Sequence, residues 1–320
     1  MPPLVSVVMP TFNRLQFLPA AVRSITVQTF TDWELIIADD GSDAETRAYL
    51  KTLEDPPRVR VLWLPHSGKP TIATNAALRE AHGEYVAFLD SDDVWLPRKL
   101  ETQMTSLERH PGRRWSHTRF GFIDGAGEPH PAYRERSWPA LSGWILEKLL
   151  KEETLIAQPS VIVSRQLLNE LGAFDEQLVM CYDQDLWIRL ASESEIDAVD
   201  EVLTLVRRHS EHGGDDVIAW RDRGRVFAHA LARTRDAHIR SILRRLRVEM
   251  ASGLAASQAT SGMRAAVLRT LVSSAHYSWR YPQWWQGSIH AVARAFAPLA
   301  ARKVVHRYRR ARRLPSQPQA

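Results

Sequence analysis

Cysteine is nearly missing from this chain of 320 residues: Cys181 stands alone. No disulfide can form within it, and the cysteine count gives no sign of an oxidising compartment. Long apolar runs are missing too. No stretch approaches the roughly 18 uninterrupted apolar residues of a transmembrane helix. Leu4–Met9 is far too short for the core of a signal peptide, so the cytoplasm is the expected address. Zinc is not expected, because His209 and His212 have no third ligand at suitable spacing. Acidic residues run short at one end. Residues 221–320 hold 20 of the 42 Lys and Arg but three of the 37 Asp and Glu, so the net charge of +5 hides an acidic body and a basic tail. A boundary near 211–225 follows, with domains expected at 1–215 and 216–320. The tail lacks the aromatic-interleaved patterns of nucleic-acid modules, and acids in the body would repel phosphate backbones, so no nucleic-acid partner is expected.

What is present is ordinary globular composition, 44% hydrophobic and 25% charged, carrying a strict alternation of elements. Leu4–Met9, Trp33–Ala38, Val59–Leu64 and Tyr85–Leu89 are apolar runs of the kind found in strands covered on both faces. Between them lie helical patterns: Leu15, Leu18, Val22 and Ile25 at near-helical spacing, then residues 43–53, then Thr71–His82 with Gly83 expected as its C-cap. Strands alternating with such helices predict βαβ units and an open, mostly parallel, Rossmann-related sheet flanked by helices. Right-handed crossovers would bring the ends of three strands to one edge. Those ends carry Pro10-Thr11, Asp39-Asp40 and Asp90-Ser-Asp92-Asp93. Ligands of open α/β sheets bind just beyond such ends.

If the backbone stays extended to Asp92, its period of two puts Asp90 and Asp92 on one face. Two carboxylates there suit Mg²⁺ or Mn²⁺, which keep their other positions for water and phosphate oxygens. The alternative is a solvated acidic turn before a helix begun at Leu96-Pro97. Further on, Asp183 precedes an apolar helical stretch, Leu186–Ala191. It is either a helix N-cap and no more, or a buried carboxylate serving as a general base. Asp185 is the weaker candidate base and is spaced to pair with Arg189 at i+4.

Met9-Pro-Thr-Phe-Asn-Arg14, Ala38-Asp-Asp-Gly-Ser42 and Gly83-Glu-Tyr-Val-Ala-Phe-Leu-Asp-Ser-Asp-Asp-Val-Trp95 together resemble the signature set of family 2 glycosyltransferases. Gly172-Ala-Phe-Asp-Glu176 and Asp183-Gln-Asp-Leu-Trp-Ile-Arg189 are similar to that family's downstream elements, with Tyr182 where Glu is commoner. The likeness covers about residues 4–210. It implies a GT-A-like fold and an inverting, metal-dependent hexosyltransferase using a nucleotide-diphosphate sugar donor. The implied acceptor is a glycan or lipid-linked saccharide, in cell-surface polysaccharide or glycolipid synthesis. By resemblance Asp183 is the catalytic base, Asp92 contacts the metal, and Asp90 meets the ribose or the metal-bound water. Pro10, Thr11, Asp39, Asp40, Lys69 and His209 are the remaining donor-binding candidates. One member of the Asp39/Asp40 pair should hold the Gly41 turn. The processive members' Gln-x-x-Arg-Trp element is not evident after Asp183, which favours addition of one sugar per encounter. An inactive nucleotide-sugar-binding relative is the nearest alternative. A sugar nucleotidyltransferase would carry a Gly-rich N-terminal loop where this chain has Pro10-Thr-Phe-Asn13.

The basic tail is expected to be an α-helical extension. Trp285, Ile289, Val292, Phe296 and Leu299 recur at steps of four and three, with Arg294, Arg302, Lys303 and Arg307 elsewhere on the helix. Such a stripe is either the buried face of an ordinary helix or one that lies in an anionic membrane surface, with Trp284 adding to the burial. The second reading would put peripheral contact at the inner face of the cell membrane.

Overall fold

The computed structural model describes residues 3–130, 138–208 and 215–296. The chain forms two compact units, Met1–Gly213 and Gly214–Ala320. In the first, one sheet has eight strands: β1 Val5–Thr11, β2 Trp33–Asp39, β3 Val59–Trp63, β4 Tyr85–Phe88, β5 Val94–Trp95, β6 Trp115–Ile123, β7 Val161–Ser164 and β8 Ile196–Arg207. Their order is β3-β2-β1-β4-β7-β6-β8-β5. The first four are mutually parallel, as the alternation of elements predicts. Beyond β4 the sheet becomes mixed: β7 is antiparallel to β4 and β6, β8 is parallel to β6, and the two-residue β5 closes antiparallel on β8.

The uninterrupted apolar strands reflect burial on both faces. Val5, Val7 and Met9 of β1, Leu35 and Ile37 of β2 and Ala87 of β4 face one hydrophobic layer. The helices of that layer are α1 Leu18–Thr26, α2 Ala44–Leu53 and α4 Lys99–Arg109, through Leu18, Val22, Ile25, Leu50, Leu100 and Met104. Alternate residues, Val8, Ile36, Ala38, Val86 and Phe88, face the other layer. There α3 Pro70–Arg79, α6 Arg165–Leu171 and α7 Tyr182–Glu193 contribute Ala73, Ala77, Leu167, Leu186, Trp187 and Leu190, with the short α5 Leu146–Leu150 at the margin. The period of two thus sorts one apolar run into two cores. Stiff β-branched side chains at most of these positions suit the pleated surface.

Two local expectations need correction. Gly83 does not cap α3, which ends at Arg79 with Glu80 at the cap. Gly83 instead lies against β1, where a Cβ would come within 2.6 Å of the Ser6 backbone nitrogen. The strand–strand approach, not a left-handed turn, requires the glycine. The extended backbone likewise stops at Phe88. The Asp93 amide donates to the Asp90 carbonyl at 3.0 Å, so Asp90–Asp93 is a tight turn and the period-two argument does not apply to it.

The described residues of the second unit form four helices: α8 Asp216–Arg233, α9 Ala237–Thr260, α10 Arg264–Ser278 and α11 Pro282–Phe296. Asp215 and Asp236 cap α8 and α9 by accepting from backbone amides. α8, α10 and α11 all pack on α9. Small residues make this approach close: Ala255, Ala259, Val267, Ala291 and Ala295 form the core between α9, α10 and α11. Trp220 covers Gly253 so tightly that a Cβ there would sit 2.4 Å from its ring. In α11 the buried face is Trp284, Ser288, Ala291 and Ala295. The Trp285–Phe296 stripe therefore is not the packing face, because small side chains let the helices approach where bulky ones would hold them apart. Trp284 is core and is unavailable to a membrane. Leu299, Arg302, Lys303 and Arg307 lie outside the described residues. No helix among the described residues is long and apolar enough to cross a membrane.

Candidate active site

Parallel pairing aligns the strand ends. Thr11 is the partner of Asp39 across β1 and β2, and the Leu89 amide donates to the Val8 carbonyl, so Asp90 follows at the same edge. Pro10, Thr11, Asp39, Asp40, Asp90 and Asp92 are thereby drawn to one side of the sheet. The Thr11 hydroxyl is buried there with no hydrogen-bond partner. An orphaned polar atom at a strand end is an unmet demand for a ligand contact.

At the β2 end both acids are engaged. Asp39 accepts from the Ser42 amide at 3.1 Å and from Arg47 Nε at 3.0 Å, which holds the Gly41 turn. Asp40 accepts from the Ser67 amide (2.8 Å) and hydroxyl (2.7 Å) and from the Gly68 amide (3.1 Å), pinning the loop after β3. Gly41 has φ +79°, and a Cβ on it would lie 2.7 Å from the His66 nitrogen. Both conformation and space therefore demand glycine there. The pinned loop stacks the His66 ring on Phe12 at 4.0 Å and 21°. The aromatic pair stands at the edge beside Thr11, and Phe12 keeps an exposed ring. Sequence reasoning missed it; the only signal was an aromatic residue directly after a strand-ending Thr. Lys69 turns elsewhere: its Nζ donates to the Glu176 carbonyl at 2.9 Å.

The β4 end is different. Gln158 Nε2 donates to Asp90 Oδ1 at 3.2 Å, and the Arg14 guanidinium lies 3.9 Å from Asp92 Oδ2. Asp93 accepts from the Arg207 amide at 2.7 Å, while Arg207 Nε donates to the Asp92 carbonyl at 2.8 Å. Asp93 thus ties the turn to β8. Although part of Asp90 reaches solvent, burial and then the charges of Asp92 and Asp183 push its carboxyl up to about 7. Asp93 is also pushed well up, by burial and then by Asp90 and Asp92, with Arg207 opposing. Asp183 is therefore close enough to Asp90 for its charge to be felt there, 93 residues apart in sequence. The Tyr182 hydroxyl beside it is raised by burial and by Asp90, Asp183 and Asp92.

Asp183 is the second residue of α7, inside the first turn, and not its cap. Cys181 occupies the cap position with a left-handed backbone, φ 58°. Such strain in a non-glycine residue needs surrounding structure to hold it. Some of that comes from the segment before it. Asp185 accepts from Arg189 Nε at 2.8 Å, as its i+4 spacing predicts. Arg189 in turn donates to the carbonyls of Leu171, Gly172 and Ala173. Asn75 of α3 bonds the Phe174 backbone in both directions, and Phe174 meets Tyr182 edge-on at 5.7 Å. The Gly172–Glu176 motif is thus a brace that sets the start of α7. His209 lies outside the described residues.

Among the described residues no three His, Cys, Asp or Glu side chains form a ready-made cation cage. The donor set fits a divalent cation of a different kind. Crowded carboxylates with raised affinity for protons have the same demand for positive charge that a metal meets, and Mg²⁺ or Mn²⁺ needs only one or two of them when phosphate and water complete the shell.

The fold is that of the GT-A glycosyltransferases. Staphylococcus aureus TarS 1–349 in complex with UDP-GlcNAc matches with a TM-score of 0.64 at 18% identity, over 97% of this chain and 92% of that one. The mannosyltransferase PcManGT of Pyrobaculum calidifontis in complex with GDP-Man and Mn²⁺ matches with a TM-score of 0.55 at 19% identity, over 92% and 86%. Residues 6–172 match the model of glycosyl transferase family 2, and the chain belongs to that family. A UDP-Glc:alpha-D-GlcNAc-diphosphoundecaprenol beta-1,3-glucosyltransferase of Escherichia coli, WfgD, is 38% identical over 104 residues, 32% of this chain. A Bacillus subtilis glycosyltransferase named for teichuronic acid biosynthesis, TuaG, is 43% identical over 103 residues, also 32% of this chain. The matches span 41% of the length of each of these two relatives.

Proposed function

We propose that this chain transfers a single hexosyl residue, with inversion, from a nucleotide-diphosphate sugar to the hydroxyl of a glycan or lipid-linked saccharide. Asp183 accepts the proton of the acceptor hydroxyl, whose oxygen attacks the anomeric carbon. The nucleoside diphosphate leaves from the opposite face with the bonding electron pair. Asp90 and Asp92 would hold Mg²⁺ or Mn²⁺, which when bound supplies charge stabilisation to the leaving diphosphate. Thr11 and the adjoining Pro10 backbone receive the nucleoside, with the exposed face of Phe12 offered to the base. Asp39 and Asp40 act by holding the loops that border this pocket. Lys69, committed to the Glu176 carbonyl, closes the same loop onto the brace before α7, and His209 keeps the role of diphosphate contact.

The observation that carries this reading is the convergence of Asp90, Asp92 and Asp183, each raising the proton affinity of a neighbour, at the carboxyl edge of a family 2 chain. A departing anion needs a cation, which crowded carboxylates would hold, and the acceptor's base has to stand beside them, where the charge of Asp183 is felt by Asp90. The relative that acts on a GlcNAc-diphosphoundecaprenol supports a lipid-linked acceptor, and the one named for teichuronic acid supports surface-polymer synthesis. The same reading has the enzyme working at the inner face of the cell membrane, by peripheral contact through its C-terminal helices. Incubation with UDP-, GDP- and dTDP-sugars, with release of nucleoside diphosphate as readout, tests it. One donor should be turned over in the presence of Mn²⁺. Binding of a donor without release would leave an inactive relative, and formation of nucleotide-sugar from a sugar phosphate and a nucleoside triphosphate would leave a nucleotidyltransferase.

A further inference from the structure

The second unit carries an apolar face that its own packing does not use. On α10, Leu268, Val272 and Trp279 recur at steps of four and seven; on α11, Trp285, Ile289 and Phe296 do the same. Each set occupies one side of its helix. All six side chains are between 46 and 77% exposed, while Val267, Ser274 and Ser278 on α10 and Trp284, Ser288, Ala291 and Ala295 on α11 are buried. The two stripes are joined at both ends. Trp285 Nε1 donates to the Trp279 carbonyl at 2.8 Å where α10 passes into α11. At the far end Arg264 Nε donates to the Ala295 carbonyl at 2.9 Å, with its guanidinium 5.6 Å from the Phe296 ring. The helices therefore run antiparallel with their stripes on a shared face. Contiguous exposed apolar surface of this kind on a soluble unit marks an interaction site.

Charge decides what it fits. From Met250 to Ala320 the sequence contains no Asp or Glu and eleven Arg and Lys. Arg264, Arg269 and Arg280 are exposed beside the stripes. A two-fold contact between copies of this face would oppose arginine to arginine with no carboxylate to intervene. An anionic bilayer surface answers both features: Trp and Phe rings settle at the headgroup level while arginine heads remain in the charged interface. We infer that the α10–α11 face docks this protein on an anionic membrane surface through Leu268, Val272, Trp279, Trp285, Ile289 and Phe296. The inference gives the surface for the membrane contact in the function proposed above. It is measured with no sugar donor, so its failure and the failure of that function are seen separately.

The test is flotation of the full chain with vesicles of phosphatidylcholine alone or mixed with phosphatidylglycerol, at low and high salt. Mixed vesicles should bind about tenfold more protein or better, and high salt should weaken but not abolish binding. The double variant Val272→Glu, Ile289→Glu alters two outward side chains and should lower binding about tenfold or more. Trp285→Ala, which adds no charge, should lower it a few-fold and keeps the test open should the double variant fail to fold. Absence of flotation at low salt overturns the inference. So does flotation that neither variant changes, which would assign it to the arginines alone. A wild-type dimer that the variants convert to monomer, measured by light scattering, would give the face to a second copy and overturn it too.

Discussion

Two strand ends in one sheet carry neighbouring acids and treat them in opposite ways. Beyond β2, Asp39 and Asp40 accept five hydrogen bonds from Ser42, Arg47, Ser67 and Gly68, and every one fastens a loop. Beyond β4, Asp90 is pressed by burial and by Asp92 and Asp183 until its carboxyl holds a proton near neutrality. Both pairs are Asp residues at the carboxyl end of a buried parallel strand, so residue type and position do not distinguish them. Satisfaction does. A carboxylate whose lone pairs are met by amides is part of the scaffold; carboxylates crowded against one another are stable only with a cation or a proton from elsewhere. On the proposed function the edge divides into a half that shapes a pocket and a half that receives charge.

The largest expected effects fall in the charged half. Asp183→Asn should lower transfer by about two to four decades, the usual contribution of a general base, with donor affinity by calorimetry near wild type. Transfer within threefold of wild type would remove Asp183 from that role. Asp92→Asn should lower turnover by about two to three decades and weaken donor binding, because charge stabilisation of the diphosphate is lost. EDTA should do the same to the wild type, with recovery on adding Mn²⁺. Full turnover in excess EDTA would contradict the metal assignment.

Substitution for stability should separate the halves by sign. Asp90→Asn removes a charge whose folded-state pKa is raised from 3.8 to about 7. Such a group costs stability once ionised, at about 1.4 kcal/mol per unit. The metal-free variant should therefore be more stable to unfolding than wild type above pH 7, by on the order of a few kcal/mol, and the gain should vanish below the ordinary carboxyl range. Asp40→Asn sets an amide donor among the donors of Ser67 and Gly68 and should cost about 1–3 kcal/mol. Destabilisation by both variants would erase the distinction between the two ends.

How much of this could be read from the sequence differs by element. The buried strands and the motif-bearing ends were legible because apolar runs of fixed length and strand–helix alternation are local patterns. The antiparallel β7 and the closing β5 were not, since a two-residue strand has no periodicity to detect and its pairing with Leu205 and Thr204 is set by the fold. Asp185 with Arg189 was legible as an i+4 pair; that Arg189 also gathers three carbonyls from Leu171–Ala173 was not, because those contacts join separate segments. The role of Asp40 stayed open in the sequence for the same reason: its partners Ser67 and Gly68 lie 27 and 28 residues away, whereas those of Asp39, Ser42 and Arg47, are local. In α11 the apolar stripe was legible but its direction was not. The sequence left Trp285 and Ile289 open between a packing face and a membrane face, and close approach to α9 selected Ser288, Ala291 and Ala295 for packing.

The smallest expected effect lies in the pocket-shaping half and tests whether that half binds without reacting. Phe12 is exposed and stacked on His66, which is held in place by the loop that Asp40 pins. If a nucleobase lies against this ring, Phe12→Ala removes one stacking partner, worth about 1 kcal/mol or a little more, or roughly five- to tenfold in affinity. The donor KM should rise by that factor while kcat stays within about twofold, since in the proposed site the ring meets the base and takes no part in the proton transfer or the departure of the diphosphate. Phe12→Tyr keeps the face and should restore the KM. The opposite pattern, a fall in kcat at unchanged KM, would place Phe12 with Asp90, Asp92 and Asp183, and the division of the edge into binding and reacting halves would not stand.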